Sequence, residues 1–504
     1  MKGTARRWSL AGLAGLPIAF LAVGIWMERG GVGPSAGAPP PPRVEAADLD
    51  AGAVELGWPL MSVTLAPDDL HDPRTGILAN PEERGREWER RGTLEYYDEG
   101  ELQFASDVGV RVHGGSSRLT SPIQSFRLYF REEYGAEQFA PGVIFDASAD
   151  PIDRLVAHND LRTRFRRQAR PERAESDRAY WHFVNPLAYD LATRIGAVAP
   201  QTKPARFFLN GAFLGVYVLT EYVTIPEFFE SRFGYGQFSA DEAAMTALSR
   251  WLDESGESLT MARAAEQVDL ENLTRWFLSV LFAGTGDPFQ GPGQFYDATR
   301  ASGGWFWVNW DMDLSFRRAG VNMFERLRDQ PGERRRGRRP SEPRARLMTH
   351  LLANDAEYRR FFMTRFEAML NHQLTPEFLD ERFAHYEQIA LDYEVESVAY
   401  LEMLREFLDR RAGILWAQTA QQLGTGAPVQ CIIEAPDGGV LIDGVHVEGA
   451  FAGRYFPNTM IEVALPETDG RPRGWFVNGE RVASPDGILR LRLERDVAIE
   501  VVPS

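Results

Sequence analysis

The chain has 504 residues, of which 44 % are hydrophobic and 25 % are charged. This balance is typical of a globular protein with roughly two to four domains, and it excludes a disordered, collagen-like or multi-span membrane chain. The formal net charge of −17 argues against nucleic-acid binding, because the surface as a whole repels phosphate. The single cysteine, Cys431, excludes an intrachain disulfide and any cysteine-based zinc or iron–sulfur site.

Lysine is nearly absent from the chain. Of its 55 basic residues only Lys2 and Lys203 are lysines, and the others are arginines. A codon bias toward arginine would explain this composition without any function. Whatever its origin, chemistry that needs a lysine ammonium in the folded part of the chain must use Lys203 or do without one.

The N-terminus has the pattern of a secretory leader. Basic residues precede an apolar run from Leu10 to Met27, which is about the minimum length of a membrane-spanning helix. No small-residue cleavage site follows the run, so residues 1–29 favour an uncleaved signal anchor over a cleaved signal peptide. Either one places the rest of the chain outside the cytoplasm, membrane-anchored or secreted, behind a Pro- and Gly-rich linker at residues 30–46.

Two predicted strands flank a segment rich in glycine and serine. Val108–His113 and Ser125–Phe130 have strand-like patterns, and the connection between them begins Gly114-Gly115-Ser116-Ser117-Arg118. The backbone N–H groups of such a turn can form a nest for the phosphates of a nucleotide. A plain hairpin connection is the commoner origin of this composition, so the pattern alone leaves both interpretations open.

A predicted helix and a predicted hairpin follow. Asn185–Ile195 repeats its apolar residues at helical spacing. Ala205–Leu209 and Val216–Leu219 are predicted strands joined around Asn210-Gly211, a dipeptide typical of tight hairpins. Glu221 follows the second strand, where it is either a surface residue or the partner of a cation in a cleft.

Carboxylates are concentrated after the next predicted helix, Leu270–Ala283. The loop Gly284–Pro288 contains Asp287, and the aromatic strand Trp305–Val308 leads into Asp311 and Asp313. Strand alternation predicts that the last two aspartates share one face, where a divalent cation such as magnesium or manganese would relieve their repulsion. The alternative is that one aspartate caps a turn and the other faces solvent.

The remaining sequence predicts a helical block at residues 348–423 and a small all-β domain at residues 425–504. Six short alternating segments separated by Asp-Gly and Gly turns indicate the latter, most simply a sandwich. They are Val429–Ile433, Gly439–Ile442, Met460–Ala464, Gly474–Val477, Ile488–Leu493 and Val497–Val502. The sequence contains no His-x-x-x-His pair, no Gly-x-Ser-x-Gly elbow and no Gly-x-x-x-x-Gly-Lys-Ser/Thr loop. Their absence argues against a zinc hydrolase, an α/β-hydrolase and a P-loop enzyme.

Several of these motifs together resemble the spore coat protein H (CotH) kinase family of bacteria, over about residues 58–420. The resemblance is carried by four stretches in the family's order: Gly109–Arg118, Ser125–Phe130, Phe208–Tyr217 followed by Glu221, and Val308–Phe316. It implies an α+β fold in which residues 47–424 form an atypical protein-kinase-like core with a helical C-terminal lobe. It also implies ATP- and magnesium-dependent phosphorylation of serine or threonine in a protein.

The resemblance assigns roles to the residues that match the family's motifs. Asp311 takes the place of the metal-binding aspartate and Asp287 that of the second active-site acid, near the attacking hydroxyl. Asp313 and Gln294 are further candidates for the metal. The candidate cofactor-binding residues are Gly114, Gly115, Ser116, Ser117, Arg118, Gln124, Arg127, Lys203 and Glu221.

Two positions depart from the family's pattern. Gln124 stands where the family commonly has a lysine, and Gln294 stands where it commonly has an asparagine. A neutral amide cannot supply the charge that the lysine brings to the phosphates. Either the cation has moved, with Lys203, Arg111 and Arg127 as candidates, or the protein is a weak or inactive pseudokinase that acts in envelope or coat assembly.

Two arginine-rich stretches complete the sequence features. Arg162–Arg173 has six arginines and one acid, hence +5, and Arg326–Arg346 has nine arginines and three acids, hence +6. The second lies where a kinase places its substrate-binding segment, so we expect an acidic or phosphorylated partner there; a solvated insertion is the alternative. The expected partners are therefore ATP, an acidic or serine-rich protein substrate and a membrane at the N-terminus, but no nucleic acid.

Overall fold

The structure is a computed structural model that describes most of the chain after its N-terminal segment. The described residues are 57–115, 117–121, 123–135, 141–145, 153–159, 183–223, 242–286, 294–296, 304–328, 343–392, 398–436, 438–466 and 474–502. All of them belong to the unit Pro40–Ser504. Within these ranges no helix is long and apolar enough to cross a bilayer. The predicted signal segment, the linker and the stretch Arg162–Arg173 lie outside the described residues and stay predictions.

Seven strands form a closed barrel in the first half of the chain. They are β1 (Leu60–Leu65), β2 (Arg90–Asp98), β3 (Glu101–His113), β4 (Ser125–Tyr129), β5 (Arg154–His158), β6 (Thr202–Leu209) and β7 (Ala212–Glu221). Their order around the barrel is β1-β2-β3-β4-β5-β7-β6, and a parallel pairing of β1 with β6 closes it. Short helices α1 (Pro67–His71) and α2 (Ser117–Thr120) lie in its connections. Alternate residues such as Val110, Leu128 and Tyr217 fill the interior.

A helical block forms a second core. Its helices are α3 (Val184–Arg194), α4 (Glu242–Ser255), α5 (Met261–Ala265), α6 (Leu270–Ala283), α7 (Met323–Arg328), α8 (Pro343–Asn354), α9 (Ala356–Ala368), α10 (Pro376–Asp392) and α11 (Val398–Leu423), with a π-helical turn at Met369–Gln373. Helix α6 has the predicted bounds because local signals set both ends. The Asp269 carboxylate accepts a hydrogen bond from the Asn272 backbone N–H at 2.9 Å, and Gly284 ends the helix in a left-handed conformation.

A side chain of α6 holds the short hairpin that leads to the predicted aspartates. The hairpin consists of β8 (Gln294–Tyr296) and β9 (Trp305–Trp307). The Asn272 amide accepts a hydrogen bond from the Trp307 N–H at 2.5 Å and donates one to the Trp307 carbonyl at 2.9 Å. The amide thus takes the place of a neighbouring strand, and it anchors the end of β9 against the helical block.

The C-terminal residues form a β-sandwich, as the sequence predicts. A five-stranded sheet, β13-β10-β18-β15-β16, packs on a four-stranded sheet, β12-β11-β14-β17. The strands are β10 (Val429–Glu434), β11 (Val440–Ile442), β12 (Val445–Val447), β13 (Ala450–Tyr455), β14 (Thr459–Ala464), β15 (Gly474–Val477), β16 (Glu480–Val482), β17 (Leu489–Leu493) and β18 (Val497–Val502). The six predicted segments are all strands, whereas β12, β13 and β16 were not predicted.

The β-sandwich is joined to the helical block by one buried aromatic residue and its surroundings. Phe456 is fully buried in the core of the helical block, with its ring centroid 5.0 Å from that of Trp416 and 5.6 Å from that of Phe366. The buried Glu367 of α9 accepts hydrogen bonds from the Phe456 N–H and the Thr459 hydroxyl, each at 2.7 Å. This joint explains why the described residues form one compact unit despite their different folds.

Burial of Glu367 should make the joint sensitive to pH. Desolvation raises the pKa of this carboxyl from its usual 4.5 to about 7. Because the folded-state pKa lies above the unfolded one, the contribution to stability is fully present below about pH 4.5. It is lost as the pH rises through 7. Glu367→Gln, which stays neutral, should therefore raise the free energy of unfolding at pH 8 by about 3 kcal/mol and change it little at pH 4.5.

Urea denaturation of the Glu367→Gln variant and the native chain at both pH values measures this difference. The exposed Glu406 provides the control, because Glu406→Gln should change stability by less than about 0.5 kcal/mol at either pH. An equal effect of Glu367→Gln at pH 4.5 and pH 8 would contradict the prediction.

Candidate active site

A cavity of about 530 Å³ lies against the outer face of four barrel strands. The strand register aligns Arg111 of β3 with Arg127 of β4, Arg127 with Val156 of β5, and Val156 with Thr220 of β7. Residues between these positions fill the barrel, so strand alternation turns all four toward the cavity. The remaining lining residues are Ile77, Asn80, Glu83, Arg84, Gly85, Trp88, Val112, His113, Gly114, Gly115, Ser117, Arg118, Tyr129, His158, Asn185, Tyr189, Val218, Trp310 and Asp311.

Two arginines face each other across β3 and β4, an arrangement that is destabilising without compensation. Arg111 is compensated by the buried carboxylate of Glu89, which it contacts at 2.5 Å. The guanidinium of Arg127 lies 4.1 Å from the ring centroid of Tyr222, and its Nη2 is 2.9 Å from His113 Nδ1. Arg127 is therefore held in the cavity wall by an aromatic ring and an imidazole.

The glycine-rich segment borders the same cavity. Gly114 has a left-handed backbone (φ 117°), and a Cβ atom there would lie 2.2 Å from the Ser117 hydroxyl. The Arg118 guanidinium donates hydrogen bonds to the carbonyls of Val112, Pro81, Glu83 and Gly114 at 2.6–3.3 Å. Arg118 thus holds the segment in place with its guanidinium N–H groups, which would otherwise be available to donate to a ligand. Of the candidates in this segment, Ser116 lies outside the described residues.

Positive charge dominates the cavity. Burial lowers the pKa of Arg118, and the nearby charges of Arg84 and Arg127 lower it further. With Arg111, four arginines line the cavity against the carboxylates of Glu83 and Asp311. Because Arg111 is already paired with Glu89, a bound polyanion would chiefly neutralise the charges of Arg84, Arg118 and Arg127, so the cavity favours a ligand that carries phosphates or carboxylates.

Three predicted cofactor residues lie away from this cavity. The Gln124 amide donates to the carbonyls of Ser121 at 2.9 Å and Arg118 at 3.2 Å, within the connection between β3 and β4. Glu221 is 1 % exposed and accepts a hydrogen bond from the Gln201 backbone N–H at 2.7 Å. Neither residue lines the cavity.

Lys203 lies away from the glycine-rich segment, in a partly exposed position. Its ammonium contacts the Asp98 carboxylate at 2.9 Å and lines a second cavity between the barrel, α3 and α10. The expectation that Lys203 replaces the family's lysine is thereby corrected, because β6 carries it away from the glycine-rich segment. Arg111 and Arg127 are the two of the three candidate cations that line the first cavity.

The two aspartates after β9 do not follow strand alternation. β9 ends at Trp307, and Asp311 has a left-handed backbone (φ 56°), which breaks the two-residue period and corrects the predicted shared face. Asp311 lines the cavity and is half-buried, whereas Asp313 is buried. Phe316 is also left-handed (φ 58°), and its N–H donates to the Ala283 carbonyl at 2.9 Å. Two strained residues thus flank Asp313, as often occurs at functional sites.

The loop that contains Asp287 approaches these aspartates. Asp287 lies outside the described residues, but the preceding residue, Gly286, donates its N–H to the Leu314 carbonyl at 3.0 Å. The backbone of Gln294 pairs with Trp307 in the β8–β9 hairpin; its side chain lies outside the description. Among the described residues no group of three or more histidine, cysteine, aspartate or glutamate side chains could hold a metal ion, so a metal here would need oxygen ligands of other kinds.

Sequence reasoning missed the wall that α3 contributes. Asn185 and Tyr189 line the cavity from successive turns of this helix, and the Tyr189 hydroxyl accepts a hydrogen bond from the Asp311 N–H at 3.1 Å. Their spacing of four residues placed both on one face of the predicted helix. The signal available in the sequence was this polar pair. The helix prediction rested only on the apolar residues, such as Leu187 and Leu191, and gave no role to the polar ones.

Comparison with known proteins identifies the family. The model of the CotH kinase protein family matches residues 176–237 and 233–398, which contain α3, β6, β7, most of the helical block and Asp311. The match begins after β5, so the motif from Gly109 to Phe130 lies outside it. No curated protein matches the chain. Residues 176–398 thus match the CotH kinase family, which confirms the resemblance that the sequence motifs indicate.

Proposed function

We propose that this protein transfers the γ-phosphoryl group of ATP to a serine or threonine hydroxyl of a protein, with magnesium or manganese as cofactor. The observation that carries the proposal is the cavity on the outer face of the barrel. It brings four arginines and Asp311 into one cavity, in a chain of which residues 176–398 match a kinase family. Cations for phosphates and a carboxylate for a metal are the parts that phosphoryl transfer requires.

The described residues fit a metal-bound nucleotide. Arg111 and Arg127 would hold phosphate oxygens, and Asp311 would hold the metal, whose charge neutralises the phosphates when it is bound. The Gly114–Ser117 segment would lie over the phosphates, with Arg118 keeping its shape. Val156 and Val218 offer apolar surface to the base.

The acceptor hydroxyl would be oriented by Asp287, a role that rests on the sequence motif. The hydroxyl oxygen bonds to the γ-phosphorus while the bond from phosphorus to the β–γ bridging oxygen breaks, and ADP leaves. The hydroxyl proton passes to the acid or to solvent. Asp287 would enter from the loop after α6, which the hydrogen bond between Gly286 and Leu314 holds beside the Asp311–Asp313 turn.

The identity of the acceptor is the least constrained part of the proposal. Arginines at the ends of the stretch Arg326–Arg346 make internal contacts. Arg326 donates to the Gly286 carbonyl, the Arg344 guanidinium lies 5.0 Å from the Trp276 ring centroid, and Arg346 contacts Asp253 at 2.5 Å. Residues 329–342 between them lie outside the described part of the chain. An acidic or serine-rich substrate at this stretch, and action outside the cytoplasm, are proposals from sequence that co-purification and cell fractionation would test.

Arg127→Gln should weaken ATP binding by about 10- to 100-fold, because a charge-assisted contact to phosphate contributes about 1.5–3 kcal/mol. Isothermal titration of the full chain with ATP and Mg²⁺ measures the dissociation constant. Lys203→Gln is the matched control: it also removes one cation from the barrel, but in the second cavity, and it should leave the affinity unchanged.

The same titration separates the proposal from its alternative. Unchanged affinity in Arg127→Gln, or equal losses in both variants, would contradict the assignment of the cavity. A native chain that binds ATP without labelling itself or any protein from [γ-³²P]ATP would favour the pseudokinase that the glutamine at position 124 suggests.

A further inference from the structure

We propose that Asn185 is a metal ligand of this site and that its amide oxygen binds the divalent cation beside Asp311. The inference rests on the proposed function, since it names an additional ligand in the same cavity. The sequence motif makes Gln294, on β8, the candidate amide ligand. The proposal instead places this ligand on α3.

The first observation is an unpaired oxygen. Asn185 lies in the first turn of α3, lines the cavity and is 8 % exposed. Within the described residues its Oδ1 is buried and accepts no hydrogen bond. A buried amide oxygen without a donor costs about 1–3 kcal/mol. A cation bound at this oxygen would remove that cost.

The second observation is that comparable asparagines nearby are fully paired. Asn272 makes two hydrogen bonds to the backbone of Trp307. Asn309 accepts one from the Ser279 hydroxyl at 2.7 Å and donates one to the Val198 carbonyl at 3.2 Å. Both residues support β9 and the segment after it. Asn185 makes no such bond to the residues that the structure describes, which separates it from the asparagines that stabilise the fold.

The third observation is that the helix that carries Asn185 also contacts Asp311. Tyr189 lies one helical turn after Asn185, and its hydroxyl accepts the Asp311 N–H at 3.1 Å. Side chains four residues apart on a helix have Cβ atoms about 6 Å apart. Helix α3 therefore presents the amide on the side of the cavity that holds Asp311, whereas Arg111 and Arg127 lie on the barrel wall.

The chemistry of these groups suits a hard cation. Magnesium and manganese prefer oxygen ligands, and they commonly combine one or two carboxylates with carbonyl oxygens, water and substrate phosphates. Rotation about χ2 exchanges the two ends of the amide, so the oxygen can turn to the cavity when a cation is bound. The amide adds no charge, which leaves Asp311 to attract the ion.

Mn²⁺ binding to the full chain, followed by electron paramagnetic resonance with and without a non-hydrolysable ATP analogue, tests the proposal. Asn185→Ala should raise the dissociation constant for Mn²⁺ by about 10- to 100-fold. Asn185→Asp, which keeps an oxygen and adds charge, should bind Mn²⁺ at least as tightly as the native chain. Asn80→Ala is the matched control, because Asn80 lines the same cavity but already donates its amide to the Gly76 carbonyl at 2.9 Å.

Each outcome decides a different point. Native affinity in Asn185→Ala overturns the proposal and leaves the proposed function standing. Weaker Mn²⁺ binding in Asn185→Asp also overturns it, because it would indicate an amide that donates to phosphate. A native chain that binds neither Mn²⁺ nor the nucleotide overturns the proposed function together with this inference. Circular dichroism of each variant confirms that a lost affinity is not a lost fold.

Discussion

Replacement of Asp311 by glycine, asparagine or alanine is expected to reduce phosphoryl transfer by roughly 10³-fold in every case. The three variants are expected to differ in stability, however, because the backbone at this residue is left-handed (φ 56°). Activity is lost because all three replacements remove the carboxylate. Stability differs because the three residues tolerate a left-handed backbone to different degrees. One position therefore carries two separable effects.

The order of stability can be worked out from conformational preference. A residue with a Cβ atom loses about 1–2 kcal/mol in the left-handed region, although asparagine and aspartate tolerate it better than alanine does. Glycine has no such penalty but gains more entropy on unfolding, about 0.5–1 kcal/mol. We therefore expect the glycine and asparagine variants to be similar and the alanine variant to be less stable than either by about 1 kcal/mol.

Two measurements check these expectations for Asp311. Transfer of label from [γ-³²P]ATP gives the activity, and urea denaturation gives the free energy of unfolding. Full activity in any of the three variants would exclude Asp311 from the reaction. An alanine variant as stable as the glycine variant would show that the backbone relaxes at this position and that the left-handed conformation stores no strain.

Replacement of Arg411 by methionine is expected to destabilise the protein by about 3–5 kcal/mol. Arg411 lies on α11, is fully buried and donates to backbone carbonyls of Leu281, Phe282, Ala319 and Val321. Two of these carbonyls belong to the last turn of α6, whose negative dipole end stabilises the charge. Methionine would fill the space and leave several buried carbonyls without donors.

Burial of this cation disfavours its charged form. Desolvation lowers the pKa of Arg411 to about 10, which is still far above neutral pH, so the charge is retained. The residue joins the end of α6, which leads to the Asp287 loop, to the segment that follows Asp313. We therefore expect the methionine variant to lose activity as well as stability.

The neighbouring arginine provides the control. Arg410 is exposed and pairs with Glu406 one turn away at 2.6 Å, so Arg410→Met should change the free energy of unfolding by no more than about 0.5 kcal/mol. Urea denaturation of both variants measures the difference. Equal stability of the two variants would contradict the role assigned to Arg411.

Elements with strong local signals were predicted well. Helix α6 has an aspartate at its start, glycine after its end and apolar residues at helical spacing, and its predicted bounds are those of the structure. Six sandwich strands were predicted from short alternating segments between Gly and Asp-Gly turns, and β10 alternates between buried and exposed residues along its whole length. Length alone does not explain the strands that were missed, because the three-residue β11 was predicted whereas the six-residue β13, which alternates between exposed and buried residues, was not.

Local signals failed where the backbone departs from its regular path. The prediction assumed that side chains keep alternating between two faces from β9 to Asp311 and Asp313. The left-handed backbone at Asp311 ends this two-residue period, so the two carboxylates do not share a face. The position of Lys203 relative to the glycine-rich segment could not be predicted for another reason. Its distance from the glycine-rich segment depends on the order of strands around the barrel, and β6 lies beside β1 rather than beside β4.

The sequence by itself determined the resemblance to the CotH kinase family, the α+β character, the C-terminal β strands and the residue types available for chemistry. Only the tertiary structure decided which of those residues meet. Closure of the barrel turned Arg111 and Arg127 toward one cavity and placed Lys203 at another. The packing of α3 placed Asn185 and Tyr189 in the first cavity, where the Tyr189 hydroxyl contacts the Asp311 backbone. The physical reason is that secondary structure follows from short-range periodicity and capping. Proximity in the site instead follows from the burial of three separate cores and the strand order that this burial stabilises.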